Sequence, residues 1–344
     1  MPGPLFADVR LVNGSTGDPV LFVSFPGRQS ALLFDGGDNG PLSLDQLEEV
    51  EALFLTHHHV DHFIGLDRLV RANFLSSRTL SVFGPEGTIR RIHQRLSAYV
   101  YPRFDSAKLV LRVYDLSPGK AVWADLACEK EFAPTAPQEI SLAWPRIYAN
   151  DDVEVEACFT DHTIPGLAYA LVEKPGYHPD PRKLQNGLLR PGKWVAEALG
   201  RLRARAKMAE MILIDGIQMP LGWLKDRFFG RSAGARIAFI VDTFYSERVG
   251  PDLVQLARKA RRLYCDSYYS SAHAKQAGIH RHMLAAQAGE LARLAEVEDL
   301  VLVHFSPRYA GRYHTLIEEA RASFPQARAE LHRSGGTGHE RAFD

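Results

Sequence analysis

The stretch Leu53-Phe54-Leu55-Thr56-His57-His58-His59-Val60-Asp61-His62 decides the reading of this chain. Three apolar residues predict a strand, and the pattern His-x-His-x-Asp-His follows one residue later. His57 and His59 stand two apart, so an extended backbone sends both rings to one side. Phe63, Leu66, Leu69 and Val70 recur at helical spacing, so Asp61 and His62 open a helix that turns them back toward the same point. Neutral imidazole with carboxylate is the donor mix that suits zinc, and donors this crowded can hold a pair of ions. The bland alternative is a polar turn in which histidines happen to cluster.

Working outward, the arrangement of apolar strand followed by metal-capable residue recurs. Val153 to Phe159 leads to Thr160-Asp161-His162, Ile237 to Val241 leads to Asp242, and Leu300 to Val303 leads to His304. In layered α/β folds the strands fix the backbone while the loops at their ends present side chains. One histidine at a strand end is usually structural, and Asp242 could equally cap a helix. Seven residues of the right type at four strand ends are harder to set aside. Asp35-Gly36-Gly37-Asp38-Asn39-Gly40, after the strand Ala31–Phe34, is turn chemistry that could lie beside the same site.

Composition sets the bounds. The chain has 344 residues, 46% hydrophobic and 24% charged, as an ordinary globular protein does. Its 41 basic and 41 acidic residues cancel, so support for nucleic-acid binding must come from local asymmetry. Three cysteines (Cys128, Cys158, Cys265) are too few and scattered for a disulfide framework or a cysteine-type zinc site. With no visible signal peptide or spanning segment, a cytoplasmic location is expected. Met211–Ile214 reads as another buried strand. Residues 115–145 hold several prolines and no clear period, and read as a loop-rich insertion around one or two strands.

Local asymmetry is present at residues 173–207, where nine Lys or Arg face three acidic residues. Pro175-Gly176, Gly187 and Pro191-Gly192 predict a protruding, hinged segment. Arg190, Lys193 and Trp194 are candidates for substrate contact, with cations meeting phosphates and the indole stacking on a base or ribose. A solvated basic helix on the surface is the plainer alternative.

These motifs together resemble the metallo-β-lactamase superfamily, and within it the ribonuclease Z family, over nearly the whole chain. Leu33-Phe34-Asp35-Gly36-Gly37, Thr56 to Leu66, Phe83-Gly84-Pro85-Glu86-Gly87, Thr160 to Tyr169, Ile214-Asp215-Gly216, Asp242-Thr243 and His304-Phe305-Ser306-Pro307-Arg308-Tyr309 carry the likeness. The resemblance implies a single αββα four-layer sandwich over residues 1–344, with 173–207 as an inserted basic arm. It implies two zinc ions per chain, one on His57, His59 and His162, the other on Asp61, His62 and His304, with Asp242 bridging. Asp61 would also serve as general base. The family's proton donors lie in a His-Glu-Ala-Thr segment and at a later histidine. Here the segment is Cys265-Asp266-Ser267-Tyr268, and the histidine is His282, with His280 as the other candidate.

The implied activity is an endonuclease acting on RNA, cutting the 3′ side of precursor tRNA with a hydroxide prepared by two metals. Arg308 would contact the substrate, and a homodimer is expected. A phosphodiesterase of small substrates such as cyclic nucleotides, or a thioester or lactone hydrolase, would use the same metals.

Overall fold

Residues 7–25, 29–101 and 107–331 are described in this computed structural model. The first sheet is assembled in chain order. Its strands are β1 (Asp8–Leu11), β2 (Leu21–Ser24), β3 (Ala31–Phe34), β4 (Val50–Phe54), β5 (Thr79–Pro85), β6 (Val110–Ser117), β7 (Lys120–Ala127) and β8 (Gln138–Ser141). Strands β3 to β6 are parallel, because helices carry the chain back each time. These helices are α1 (Leu44–Glu48), α2 (Val60–Phe63), α3 (Leu66–Asn73) and α4 (Thr88–Leu96).

The second half mirrors the first. Strands β9 (Arg146–Ala149), β10 (Val153–Phe159) and β11 (Leu167–Glu173) form an antiparallel meander. An excursion holds β12 (Gly176–Pro179), α5 (Pro181–Asn186), α6 (Lys193–Arg203), β13 (Met211–Ile214), β14 (Ile217–Pro220), α7 (Leu221–Phe228) and β15 (Phe229–Ser232). The chain then returns through β16 (Arg236–Ile240), α8 (Gly250–Ala257), β17 (Arg262–Asp266), α9 (Ala274–His280), α10 (Ala285–Leu294), β18 (Leu300–Val303), α11 (His314–Arg321) and β19 (Arg328–Ala329). The second sheet runs β19-β18-β17-β16-β11-β10-β9, with β16 to β19 parallel.

Period-two alternation sorts the apolar residues into layers. From β3 and β4, Leu33 and Leu53 face α3 and α4, while Leu32, Phe34 and Phe54 face the other sheet. From β16 and β18, Ile237, Phe239, Val301 and Val303 face inward, while Ala238, Ile240, Leu300 and Leu302 meet α8, α10 and α11. The result is helix, sheet, sheet, helix: the αββα sandwich.

An aromatic ladder runs across the inner face of the first sheet. Phe34 stacks on Phe54 (4.9 Å), Phe54 on Phe83 (5.1 Å), and Phe83 on Tyr114 (4.5 Å). Tyr169 crosses from the second sheet and donates its hydroxyl hydrogen bond to the Leu55 carbonyl at 2.6 Å. That strut fixes the chain immediately before Thr56, where the histidine run begins.

Two expectations change. Residues 115–145 do hold two whole strands, but these extend the first sheet rather than form an insertion. The end of β6 with all of β7 and β8 takes up about half of the stretch and forms the antiparallel edge of the first sheet. On β7, Ala121 faces the inter-sheet layer while Ala124 and Leu126 face the helices, and the small alanines leave a faint apolar pattern. Met211–Ile214 is not a core strand either. It pairs only with β14, with Ile212 and Ile214 buried and Met211 and Leu213 exposed. Among the described residues, no helix is long and apolar enough to cross a membrane.

Phe54 is fully buried among four aromatic partners. Phe54→Ala is expected to cost about 3–5 kcal/mol of stability. Urea unfolding followed by circular dichroism should show a lower midpoint, and an unchanged midpoint would contradict the packing described.

Candidate metal centre

The seven residues singled out in the sequence converge at the carboxyl ends of the strands, the usual place for a site in open α/β sheets. His57, His59, His162 and Asp242 offer ligand atoms that all lie within 4.8 Å of one another, and so do Asp61, His62, Asp242 and His304. Asp242 belongs to both sets.

In the first set, His57 Nε2 is 2.9 Å from His59 Nδ1, and His162 Nε2 is 3.2 Å from the same atom. Asp242 Oδ2 stands 3.5 Å from His57 Nε2 and 3.8 Å from His162 Nε2. In the second, His62 Nε2 is 3.4 Å from both Asp61 Oδ2 and Asp242 Oδ2. His304 Nε2 is 3.4 Å from Asp61 Oδ2, and its Nδ1 is 2.8 Å from Asp242 Oδ1. Ligands at zinc–nitrogen distances of about 2.05 Å stand about 3.3 Å apart at the corners of a tetrahedron. The observed separations bracket that edge.

The donor atoms are also poorly served by the protein alone. His62 Nε2 is buried and makes no hydrogen bond, and Asp242 Oδ1 and His304 Nδ1, also buried, face each other at 2.8 Å without hydrogen-bond geometry. Such atoms are costly unless a partner satisfies them. The residues therefore fit a metal centre.

The opposite ring nitrogens are held from behind. His62 Nδ1 lies 2.8 Å from Asp35 Oδ2, and His57 Nδ1 lies 3.0 Å from Thr56 Oγ1. The Thr56 hydroxyl and backbone N–H both reach Asp35 as well. His162 Nδ1 faces the Arg281 carbonyl at 3.0 Å, which assigns its hydrogen to that nitrogen and leaves Nε2 as the ligand. This is the carboxylate or carbonyl support that metal-binding imidazoles use. The geometry demands left-handed backbone at Asp35 (φ 60°), Asp242 (φ 48°), Arg281 (φ 58°) and His304 (φ 59°). Aspartate tolerates that region better than most residues.

His58, the middle histidine, turns away. Its Nε2 meets Thr88 Oγ1 at 2.8 Å, and burial, then Arg91 and Arg90, bring its pKa down to about 4. Burial likewise lowers His57, His59 and His162, which favours the neutral rings a metal needs. His62 and His304 go the other way. Burial opposes their charge, but Asp242 with Asp35 holds His62 well above its ordinary value, and Asp242 with Asp61 does so for His304.

Asp266 and His282 adjoin the centre. His282 Nδ1 is 3.1 Å from Asp266 Oδ2. Asp266, Asp242, His282 and His304 also gather closely enough to suggest a third ion position. The hydrogen bonds argue otherwise. Asp266 is fully buried, and its oxygens accept from Tyr268 N (2.9 Å), Thr243 N (3.3 Å) and Met283 N (3.4 Å) as well as facing His282.

Comparison with known proteins agrees with this architecture. Residues 23–134 match a family model described as a beta-lactamase superfamily domain. A ribonuclease Z of Deinococcus radiodurans is 28% identical over 304 residues, covering 87% of this chain and 90% of that protein. A ribonuclease Z of Archaeoglobus fulgidus is 26% identical, covering 89% and 87%. The metallo-beta-lactamase fold protein YhfI of Bacillus subtilis superposes with a TM-score of 0.54 at 14% identity, covering 93% of each chain. The chain thus carries a stretch that matches the beta-lactamase superfamily and has a metallo-β-lactamase-like fold. It is ribonuclease Z-like in sequence.

The structure shows what single-residue reasoning missed. Arg281 was not singled out, because its contribution to His162 is a backbone carbonyl. Tyr268 was noted only within its segment, yet its ring stacks on His282 at 4.2 Å. The arm also differs from expectation. Trp194 is 6% exposed and donates to the Arg190 carbonyl, inside a satellite core with Leu199, Leu224 and Phe228. It is not presented for stacking. Arg190, Lys193 and Arg308 are exposed.

His62 and His304 must give up protons when their Nε2 and Nδ1 atoms turn to a cation. Loading the chelator-stripped protein with zinc at neutral pH should therefore release about two protons. Zinc retention should fall as pH falls, since protons compete for raised sites. Titration in weak buffer with a pH dye checks this, and zinc uptake without proton release would contradict it.

Proposed function

We propose that this chain is a two-zinc phosphodiesterase that cleaves RNA, with the 3′ side of precursor tRNA as its substrate. The observation that carries the reading is Asp242, whose carboxylate belongs to two adjoining donor sets. The ribonuclease Z relatives, matched over most of both chains, support the choice of substrate class. His57, His59 and His162 would hold one ion, Asp61, His62 and His304 the other. Two bound cations supply an activated water and offset charge on the attacking and leaving oxygens of an in-line displacement.

The chain's own groups do the rest. Asp61 keeps its side chain 34% exposed beside the cluster, so it can take a proton from the attacking water. Burial works against its charge, but His304 and His62 hold its carboxyl well below the usual range. His282 gives its proton to the leaving oxygen as the phosphorus–oxygen bond breaks. Asp266 sits too deep to reach a substrate directly and orients His282 through Nδ1.

RNA contact falls to the arm. Gly176 pairs with Ser232, so the excursion leaves and re-enters the sandwich at one point. Arg203 is tied to Asp152 and Arg201 to Glu197, while Arg190, Lys193, Arg205 and Lys207 remain at the surface. The surface set is available to phosphates, whose binding weakens with salt. A homodimer completes the reading. Its support is an apolar groove between α3 and α4 lined by Val70, Phe74, Leu75, Leu96 and Val100, with Val100 98% exposed. The three buried free cysteines accord with a reducing cytoplasm.

The zinc-loaded protein should cleave a precursor tRNA transcript and, more slowly, bis(p-nitrophenyl) phosphate. Replacing 177–231 by a short Gly-Ser linker should abolish RNA cleavage and spare the small diester. Loss of neither would favour a small-molecule phosphodiesterase, and thioester or lactone hydrolysis alone would refute the reading. His59→Ala should lower bound zinc and reduce turnover by roughly a hundred-fold or more on both substrates. Unchanged turnover in that variant would remove the first donor set from the chemistry.

A further inference from the structure

We infer that Tyr268 is a positioning residue that locks the plane of His282, and so sets which leaving groups the enzyme can expel. This rests on the proton-donating role of His282 proposed above. The segment Cys265-Asp266-Ser267-Tyr268 stands where the resembling family has His-Glu-Ala-Thr, so a ring replaces a small hydroxyl side chain and the acid is one methylene shorter.

The geometry shows how the two changes compensate. The shorter Asp266 reaches His282 only through Nδ1, at 3.1 Å, and it is itself held by three backbone N–H groups. One hydrogen bond fixes one vertex of an imidazole. The Tyr268 ring lies over the His282 ring with centroids 4.2 Å apart and planes 17° apart, which fixes the face. The tyrosine is held in turn. Its N–H donates to Asp266 Oδ1 at 2.9 Å, and its carbonyl accepts from Ser306 N at 3.3 Å. Tyr269 closes against its edge at 4.9 Å, and Tyr268 also leans on His304 at 5.1 Å. A half-buried aromatic ring thus bridges the proton donor and a metal-binding histidine.

Orientation matters most where proton transfer is hardest. A nitrophenolate departs without a proton, whereas a ribose oxygen does not. Tyr268 should therefore matter for RNA and little for an activated aryl diester.

The test uses the full zinc-loaded chain with Tyr268→Phe, Tyr268→Ala and Tyr268→Thr. Phenylalanine keeps the stack and should keep the wild-type ratio of kcat on a dinucleotide to kcat on bis(p-nitrophenyl) phosphate. Alanine and threonine should lower kcat on the dinucleotide roughly ten- to hundred-fold, with KM, zinc content and aryl hydrolysis nearly unchanged. Spectra of ¹⁵N-histidine-labelled protein give a readout independent of turnover. The His282 Nδ1–H signal should persist in the phenylalanine variant and broaden or vanish in the alanine variant. An alanine variant that keeps both the signal and the kcat ratio would overturn the inference. Equal losses on both substrates with loss of zinc would also overturn it, by showing a purely structural residue. If the wild-type protein cleaves neither diester, the functional reading fails, while the histidine signal still decides the positioning.

Discussion

One carboxylate holds the site together. Asp242 reaches His57, His62 and His162 through one oxygen and His304 through the other. Burial works against its charge, but His304, His62 and His282 keep it ionised well below the ordinary carboxylate range. Left without compensation, a buried cluster of this kind is destabilising. Its presence here means that stability is given up locally for a place whose donors fit cations, and the aromatic ladder and helix layers offset the loss.

The sandwich makes that concentration of charge possible. Two sheets, each with a run of parallel strands, bring several strand ends to one edge. The Tyr169 hydroxyl fixes the end of β4 from the opposite sheet. Asp35 and Thr56 then hold His57 and His62 from behind. Rigid strands, a polar second layer and ligand atoms follow one another, which is the order a preorganised site requires.

Much of this was legible in the sequence. The His-x-His-x-Asp-His run carries its own geometry, since strand and helix periods decide where each ring points. His162, Asp242 and His304 were legible because each follows an apolar strand. The edge strands β6 to β8 were obscured, because Ala121 and Ala124 bury as well as larger residues yet leave a faint apolar pattern. Trp194 misled for a related reason: beside Lys193 and Arg190 it looks like a surface residue, and only the satellite core with Phe228 and Leu224 shows otherwise. The left-handed turn at Arg281 was invisible, since no side-chain pattern announces a carbonyl that serves His162.

The pairing of Gly176 with Ser232 has a further meaning for how such a protein changes over generations. A detour whose two ends are already neighbours adds little closure entropy to the frame that carries it, whatever its length. Its small core of Leu184, Val195, Leu199 and Phe228 is separate from the three that build the sandwich. Natural variation can therefore enlarge, trim or recharge this appendage while the reactive edge stays still, so that selectivity drifts freely and the bond-breaking apparatus is inherited intact.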